Sequence, residues 1–142
     1  CSSDLFTVYA AAGGAAYTTS VDASATYLGI ARENLALNGQ RGRNELVHDE
    51  VGAFLRHTRQ RWDLVVLDPP SYSDREGGFD VLRDHPALIE AALGVLEPGG
   101  VLWFSTNHQA FAPRFAGEEQ TERLRQADFR RPAHRSWRLV RE

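Results

Sequence analysis

Residues 63–67 (Asp-Leu-Val-Val-Leu) form a short, nearly continuous apolar run that Asp68-Pro69-Pro70 ends abruptly. Such a run is typical of a strand covered on both faces, as in the parallel sheets of α/β proteins. The two prolines remove two backbone donors and fix two φ angles, so the strand cannot continue beyond Asp68. This feature predicts a buried strand that delivers a stiff, polar turn to one edge of a sheet.

Similar strands recur along the chain and alternate with amphipathic helices. The predicted strands are residues 17–21, 45–48, 63–67, 101–105 and 137–140. The predicted helices are residues 5–12, 24–37, 51–59 and 82–96, the last interrupted near Pro86. Strands that alternate with helices form βαβ units, which give a mainly parallel sheet with helices on both faces. We therefore predict an α/β, Rossmann-like fold in one domain over residues 1–142.

Two local details follow from the same patterns. The apolar face of the helix at 24–37 is predicted to comprise Tyr27, Ile30, Ala31, Leu35 and Leu37. The segment 97–100 (Glu-Pro-Gly-Gly) predicts a tight turn directly before the strand at 101–105.

Composition narrows the class of protein. The 142 residues are 42% hydrophobic, as in ordinary globular proteins, and no stretch approaches the ~18 apolar residues of a membrane span. The single cysteine excludes an intramolecular disulfide framework, and the five histidines lack metal-ligand spacing. We therefore expect a cytoplasmic protein without a membrane or metal partner. Because the chain starts at Cys1 and contains no methionine, we also expect an N-terminally truncated piece.

Charge is distributed unevenly, although the net charge is only −3 and all 16 basic residues are arginine. Residues 1–111 hold 8 arginines and 14 acidic residues, a balance of −6, whereas residues 112–142 hold 8 arginines and 5 acidic residues, a balance of +3. A guanidinium group can bind the oxygens of a phosphate at two points, so this tail could contact phosphate groups. A solvated surface without a ligand is the alternative, and charge alone favours it.

Polar residues follow the predicted strands, at Asp22, Asp49-Glu50, Asp68 and Asn107. Ligands of α/β sheets bind at the carboxyl ends of strands, so we expect these residues along one rim. Asp22 could accept hydrogen bonds from both hydroxyls of a ribose, or it could cap the next helix. Asp49 or Glu50 could accept a hydrogen bond from an amine such as that of adenine, or could complement a helix dipole.

The segment Asp68-Pro69-Pro70-Ser71-Tyr72 is the most informative of these. A stiff turn exposes carbonyl groups and directs the next residues to the rim, where Tyr72 could stack on a planar base. An ordinary strand terminator is the alternative, and the position directly after an apolar strand favours the functional interpretation. The absence of lysine and of glycine-rich phosphate loops argues against ATP-type and NAD-type sites.

Several segments resemble class I S-adenosylmethionine-dependent methyltransferases. They are residues 21–22, 31–34, 37–39, 63–72, 79–85, 104–107 and 134–139. The stretch 79–85 (Phe-Asp-Val-Leu-Arg-Asp-His) is the most specific. It is similar to the C-terminal, guanine-N7 methylating domain of the bifunctional bacterial 23S ribosomal RNA guanine methyltransferases.

This resemblance implies S-adenosylmethionine as the cofactor and 23S ribosomal RNA as the partner. The residues implied for the cofactor are Asp4, Asp22, Ala23, Asp49, Glu50 and Asp68. The implied catalytic residues are Asp68, Pro69 and Pro70, and the implied base-binding residues are Ser71, Tyr72 and Asn107. By position, Asp22 would hold the ribose, Glu50 or Asp49 the adenine amine, and Asp68 would lie beside the methionine moiety and the methyl group.

The chain departs from the family pattern near its start. The turn that binds the methionine moiety has a glycine where Asp4 aligns, and the strand leading into that turn would lie before Cys1. That strand occupies the middle of the family's sheet. Without it, the two halves of the sheet are expected to lose their shared neighbour.

The target atom can be argued from the residues. Methylation of cytosine C5 needs a cysteine nucleophile, but residues 105–107 read Ser-Thr-Asn. Guanine N7 carries an in-plane lone pair and no proton, so alignment without a general base suffices. The sequence therefore predicts methyl transfer to guanine N7, with an exocyclic amine, cytosine C5 or a non-catalytic RNA-binding domain as alternatives.

Overall fold

The computed structural model of the chain describes residues 3–71, 78–125 and 134–142, with Ser3 and Asp4 described by their backbone alone. The helices are α1 (Ser3–Ala12), α2 (Ala25–Leu37), α3 (Val51–His57), α4 (Val81–Gly94) and α5 (Thr121–Leu124). The strands are β1 (Thr18–Asp22), β2 (Asn44–His48), β3 (Trp62–Leu67), β4 (Leu96–Thr106), β5 (Glu118–Glu119) and β6 (Arg135–Val140). The chain divides into two compact units, residues 1–57 and 58–142, and each is described by itself.

All the predicted strands and helices are present, with shifted ends, which confirms the mixed α/β fold. The short elements β5 and α5 were not predicted, because residues 106–131 carry little periodic pattern. The turn predicted at 97–100 lies inside β4: opposite β3, the register passes from Leu96 directly to Val101. Gly99 has φ +79°, and a Cβ on Gly100 would lie 2.8 Å from the carbonyl oxygen of Glu97, so both positions favour glycine.

The first unit contains a parallel pair of strands, β1 and β2, in which Asp22 lies opposite His48. Helix α2 begins after Ser24, whose hydroxyl oxygen accepts a hydrogen bond from the backbone N–H of Tyr27 at 3.4 Å. The helix ends at Asn38, and Gly39 follows in the left-handed region at φ +67°.

The buried face of α2 differs from the predicted one. Leu28, Ala31 and Leu35 are its buried residues. Exposed instead are Tyr27, Ile30 and Leu37, the last at 83% of its surface. The apolar residues of α2 are distributed around most of its circumference. Periodicity alone therefore could not identify the face that packs against the neighbouring elements α1, β1 and β2.

The second unit contains a four-stranded sheet in the order β3-β4-β6-β5. Strands β3 and β4 are parallel, with Leu67 opposite Phe104, whereas β6 runs antiparallel to both β4 and β5. Helix α4 packs on β4. The parallel pairings thus lie among the earlier strands, and the antiparallel pairings involve the last one.

The expectation that β3 is covered on both faces is wrong for the part of the chain that the structure describes. Leu67 is buried, but Leu64 is 51% exposed and Val66 is 42% exposed. These two residues alternate along β3 and share one face. Within its sheet β3 is an edge strand that pairs with β4 alone.

The core of the second unit is aromatic. Phe104 and Trp137 are buried on adjacent strands with ring centroids 5.9 Å apart, and Phe111 lies 5.4 and 5.2 Å from them. His85 is completely buried, with its ring centroid 4.6 Å from that of Phe111. Such tilted contacts add to the stabilisation that burial of the rings provides.

Helix α4 runs through Pro86 without the predicted interruption. Proline has no N–H to donate to the carbonyl oxygen four residues earlier, that of Leu82. The guanidinium group of Arg114 donates to this oxygen at 2.7 Å and to the carbonyl oxygen of Arg83 at 2.8 Å. A side chain from a distant loop therefore replaces the missing helical bond.

Candidate functional site

In the first unit, the acidic residues at the carboxyl ends of β1 and β2 lie side by side. The backbone N–H of Asp49 donates to the carbonyl oxygen of Asp22 at 3.2 Å. Oδ1 of Asp22 accepts a hydrogen bond from the N–H of Ser24 at 2.7 Å. The turn after β1 therefore fixes the Asp22 carboxylate at the carboxyl end of the strand, and no described residue donates a hydrogen bond to Oδ2.

The predicted cofactor residue Ala23 lies in this same turn. Its carbonyl oxygen is 3.0 Å from Nε2 of His48, the residue that faces Asp22 across the two strands. His48 was not predicted as a site residue. The strand register, which places it opposite Asp22, is the signal that would have identified it.

Glu50 caps helix α3. Its Oε1 accepts a hydrogen bond from the N–H of Gly52 at 2.8 Å, and its Oε2 accepts one from the N–H of Ala53 at 2.7 Å. A Cβ on residue 52 would lie 3.2 Å from Oε2 of Glu50, so glycine suits this close approach. The predicted alternative for Glu50, a stabilising contact with the start of a helix, is thus present.

Asp49 makes different contacts. Its Oδ1 accepts a hydrogen bond from the N–H of Glu50 at 2.8 Å, and its Oδ2 lies 3.4 Å from Nε2 of His57 at the end of α3. The structure therefore brings four of the predicted cofactor residues together: Asp22, Ala23, Asp49 and Glu50.

Asp4 differs from the sequence-based expectation. We expected it in the turn that binds the methionine moiety, but its backbone lies within α1. Asp4 thus lies in the first turn of α1, and its contact with the cofactor stays a prediction.

In the second unit, Asp68 follows β3 and is bonded to the neighbouring strand. Oγ of Ser105 on β4 donates a hydrogen bond to Oδ1 of Asp68 at 2.6 Å. The register explains this contact, because Leu67 lies opposite Phe104 and the next residue on each strand is then adjacent. Ser105 was not among the predicted residues, since only the strand register reveals its contact with Asp68.

Two predicted base-binding residues are also adjacent. Oγ of Ser71 donates a hydrogen bond to Oδ1 of Asn107 at 2.5 Å. Pro69 and Pro70 connect Asp68 to Ser71, and both have the rigid φ of proline. This part of the second unit therefore combines a carboxylate, two prolines and a bonded hydroxyl–amide pair. Tyr72, which we predicted to stack on a base, lies outside the described residues.

The segment 78–85 forms a hydrogen-bonded start for helix α4. The side chain of Asp80 accepts a hydrogen bond from the N–H of Leu82 at 2.8 Å, and Asp84 accepts one from the N–H of Asp80 at 2.9 Å. Arg83 donates to both carboxylate oxygens of Asp84 at 2.7 Å and to the carbonyl oxygen of Gly78 at 2.7 Å. This reciprocal capping holds residue 78 against the helix.

The same segment is connected to the residues around it. The N–H of Val81 donates to the carbonyl oxygen of Ser71 at 3.0 Å. Nδ1 of His85 is 2.6 Å from the carbonyl oxygen of Val81, and Nε2 of His85 accepts a hydrogen bond from the N–H of Arg114 at 3.2 Å. Both ring nitrogens are thus used, and His85 is a core residue.

The contact between Arg83 and Asp84 predicts a pH dependence of stability. Hydrogen bonds from Arg83 and from the backbone of Asp80 lower the pKa of Asp84 to about 2. A carboxyl whose folded pKa is lowered stabilises the protein above its ordinary pKa, and this contribution is lost as the pH falls toward 2. We therefore expect Asp84→Asn to lower the urea midpoint at neutral pH, with a difference from wild type that shrinks in strong acid.

Asp63→Asn, at an exposed position on β3, removes the same formal charge and is the control for net charge. A difference between Asp84→Asn and wild type that stays constant down to the lowest pH would contradict this prediction.

The arginine-rich tail bonds largely within the chain. Of the six arginines described in residues 112–142, four have partners elsewhere in the described chain or within this segment: Arg114 bonds to the carbonyl oxygen of Leu82, Arg141 to that of Gly94, and Arg125 and Arg135 to Glu122 and Glu119. Arg135, for example, lies 3.1 Å from Glu119, lowers the pKa of that carboxyl, and stacks 4.8 Å from the centre of the Trp137 ring. These four arginines have structural contacts, which weakens the hypothesis that the tail contacts phosphate.

The described residues contain no group of three or more histidine, cysteine, aspartate or glutamate side chains able to hold a metal ion. Among the helices described, none is long and apolar enough to cross a membrane.

Comparison with known proteins places this arrangement in a family. The S-adenosylmethionine-dependent methyltransferase family matches residues 2–132. The chain belongs to this family. The resemblance seen in the sequence is thereby confirmed, and so is the cofactor class.

Two relatives have similar sequences. Ribosomal RNA large subunit methyltransferase K/L of Pseudomonas putida (strain GB-1) is 47% identical over 150 residues, which cover 98% of this chain and 20% of that protein. The protein of the same name from Pseudomonas aeruginosa is 45% identical over 151 residues, covering 99% of this chain and 21% of that protein. The methyltransferase chain therefore spans about a fifth of the length of these curated relatives.

Solved structures confirm the fold. A SAM-dependent methyltransferase from Streptococcus mutans superposes with a TM-score of 0.79 at 22% identity, over 97% of this chain and 42% of that one. TrmN from Thermus thermophilus gives a TM-score of 0.71 at 19% identity, over 100% of this chain and 42% of that one. The predicted Rossmann-like methyltransferase fold is thus correct.

Proposed function

We propose that this methyltransferase domain transfers a methyl group from S-adenosylmethionine to guanine N7 of 23S ribosomal RNA. The similarity to the ribosomal RNA large subunit methyltransferases K/L, at 45–47% identity over nearly the whole chain, carries the RNA part of this proposal. We also propose a cytoplasmic location, because the proposed substrate is ribosomal. The choice of N7 rests on the chemistry of the residues that follow β3 and β4.

The residues after β1 and β2 fit the adenosine part of the cofactor. Asp22 is fixed through Oδ1 by its own turn, which leaves Oδ2 available for the ribose hydroxyls. A carboxylate has about four lone-pair sites, so Glu50 can accept a hydrogen bond from the adenine amine while it caps α3. Asp49 is the alternative partner for that amine. Ala23 would lie beside the ribose.

The residues after β3 and β4 fit the reacting groups. When bound, S-adenosylmethionine supplies a methyl group on a positively charged sulfur. We assign Asp68, held by Ser105, to the methionine side, and Pro69 and Pro70 to a rigid wall that orients the base. Ser71 and Asn107 present a hydroxyl and an amide toward the base, and Tyr72 is proposed to stack on it.

This arrangement suits guanine N7, because its lone pair lies in the ring plane and bears no proton. No residue of the chain then needs to remove a proton from the base. Orientation of the base and exclusion of water are sufficient for the transfer. A base within an RNA helix must first be flipped out or presented unpaired. Cytosine C5 would need a cysteine nucleophile, and residues 105–107 provide a serine, a threonine and an asparagine.

The test is the identity of the methylated nucleoside. Unmodified 23S ribosomal RNA is incubated with the protein and S-adenosylmethionine carrying a labelled methyl group, then digested to nucleosides and separated by mass spectrometry. We expect 7-methylguanosine. Labelled 5-methylcytidine or N2-methylguanosine would refute the N7 assignment. An absence of any labelled product, together with no S-adenosylhomocysteine binding, would identify a non-catalytic RNA-binding domain.

A further inference from the structure

The first unit has a groove of about 340 Å³ between helix α2 and the beginning of β2. Arg32 and Leu35 contribute from the helix, Gln40 and Arg41 from the turn that follows it, and Asn44 from the strand. None of these residues belongs to the cofactor-binding or base-binding set proposed above. The groove therefore has no role in the methyl-transfer site as assigned.

The fold holds the lining in place. Arg32 and Leu35 lie three residues apart and so share one face of α2. The N–H of Gln40 donates to the carbonyl oxygen of Leu35 at 2.8 Å, which closes the turn onto the helix. Oδ1 of Asn44 accepts a hydrogen bond from Oγ1 of Thr18 at 2.6 Å, which fixes the strand side.

The lining is positively charged without compensation. No acidic residue lines this groove. Arg32 and Arg41 are exposed, and neither forms an ion pair with any residue in the described part of the chain. Most of the described arginines of the tail, by contrast, bond to carboxylates or backbone carbonyls. Two uncompensated guanidinium groups on one groove favour a polyanionic ligand.

Other partners fit less well. Of the apolar lining residues, Leu35 is buried, Leu46 is half-buried and the small Ala36 is exposed, so the groove offers little to an apolar protein surface. Amide side chains and backbone of the turn supply further hydrogen-bonding groups around the two arginines. This chemistry matches a sugar–phosphate backbone, in which each phosphate carries a negative charge and accepts hydrogen bonds.

We propose that this groove binds the phosphate backbone of the RNA substrate at a point separate from the reacting base, an inference that rests on the proposed function. The groove lies where β2 begins, whereas Asp49 and Glu50 follow the other end of the same strand. A strand of five residues spans about 17 Å, so this contact lies well away from the cofactor acids. Phosphate contacts of this kind orient an RNA without reading its sequence.

The test compares two double variants with the same change in net charge. Arg32→Gln/Arg41→Gln alters this groove. Arg123→Gln/Arg138→Gln alters a second groove, of about 440 Å³, which is also lined by two arginines but includes the acidic Glu118. Binding of wild type and variants to fluorescently labelled 23S ribosomal RNA is measured by anisotropy over a series of potassium chloride concentrations, and the unfolding midpoints are recorded in parallel.

We expect the slope of log affinity against log salt to become shallower by about 1.4–1.8 in Arg32→Gln/Arg41→Gln, since each lost phosphate contact removes about 0.7–0.9. The slope of the second double variant should match that of wild type. Equal changes in both would show dependence on net charge alone and overturn the proposal. An unchanged slope in Arg32→Gln/Arg41→Gln would show that the groove does not bind RNA phosphate and would point to a protein partner instead. This result would also overturn the proposal.

Failure of the proposed function gives a different result. In that case the protein, 23S ribosomal RNA and labelled S-adenosylmethionine yield no 7-methylguanosine, whatever the salt dependence of RNA binding. If 7-methylguanosine is formed but Arg32→Gln/Arg41→Gln has the same salt slope as wild type, only the proposal for the groove is overturned.

Discussion

Methyl transfer by the Asp68→Ala variant is expected to fall by about 100-fold or more, which is the effect of misplacing a reacting group by about 1 Å. Asp68 follows β3, and Ser105 holds its carboxylate through a hydrogen bond of 2.6 Å. Alanine removes both the group proposed to lie beside the transferred methyl and the bond to β4. The measurement is the initial rate of label transfer to 23S ribosomal RNA at saturating S-adenosylmethionine.

Two matched variants separate these contributions. Ser105→Ala removes the bond but keeps the carboxylate, so its rate should lie between those of wild type and Asp68→Ala. Asp63→Ala removes an exposed carboxylate from the same strand, and its rate should equal that of wild type. If Asp68→Ala transfers methyl groups as fast as Asp63→Ala does, the assignment of Asp68 to the reacting groups is wrong.

The second large effect is expected on cofactor affinity. A hydrogen bond to a charged group contributes about 1.5–3 kcal/mol, so Asp22→Ala should weaken S-adenosylhomocysteine binding by roughly 10- to 100-fold or more. This expectation rests on the position of Asp22. Its Oδ1 is fixed at the end of β1 by the N–H of Ser24, and its Oδ2 accepts no hydrogen bond from a described residue. Isothermal titration of the variant and of wild type gives the two affinities directly.

Asp22→Asn is the informative companion of this variant. Asparagine can still accept the hydrogen bond from the N–H of Ser24 and so preserve the turn, while it removes the negative charge. An affinity between those of wild type and Asp22→Ala would assign part of the effect to the charge. Wild-type affinity in Asp22→Ala would refute the ribose assignment.

The strand ends of the site could be predicted because local chemistry marks them. Asp22 ends a segment rich in β-branched residues, Asp68 follows an apolar run, and acidic residues and prolines stop a strand. The contacts of these carboxylates were beyond sequence reasoning. The bond from Ser105 to Asp68 joins residues 37 apart, and it exists only because β3 and β4 pair in one particular register. Register is a property of two strands together, so neither strand's pattern contains it.

The burial of individual side chains could likewise not be predicted from the sequence pattern. The apolar residues of α2 identify a helix, but the face that packs is decided by its neighbours, and Ile30 and Leu37 are exposed. The apolar run of β3 likewise identifies a strand without specifying its surroundings, and Leu64 remains half exposed. Local periodicity therefore predicts which elements form, whereas burial depends on the tertiary partners that each element meets.

The strand order of the second unit has a consequence for how the protein is made. Among the described strands β6 comes last in sequence, yet it lies between β4 and β5 in the sheet. The buried Trp137 ring that it carries completes the aromatic core. During synthesis on the ribosome, β5 can therefore form its pairing with β6 only after Trp137 and Arg138 have emerged, so this sheet is completed after β3, β4 and β5 have been made.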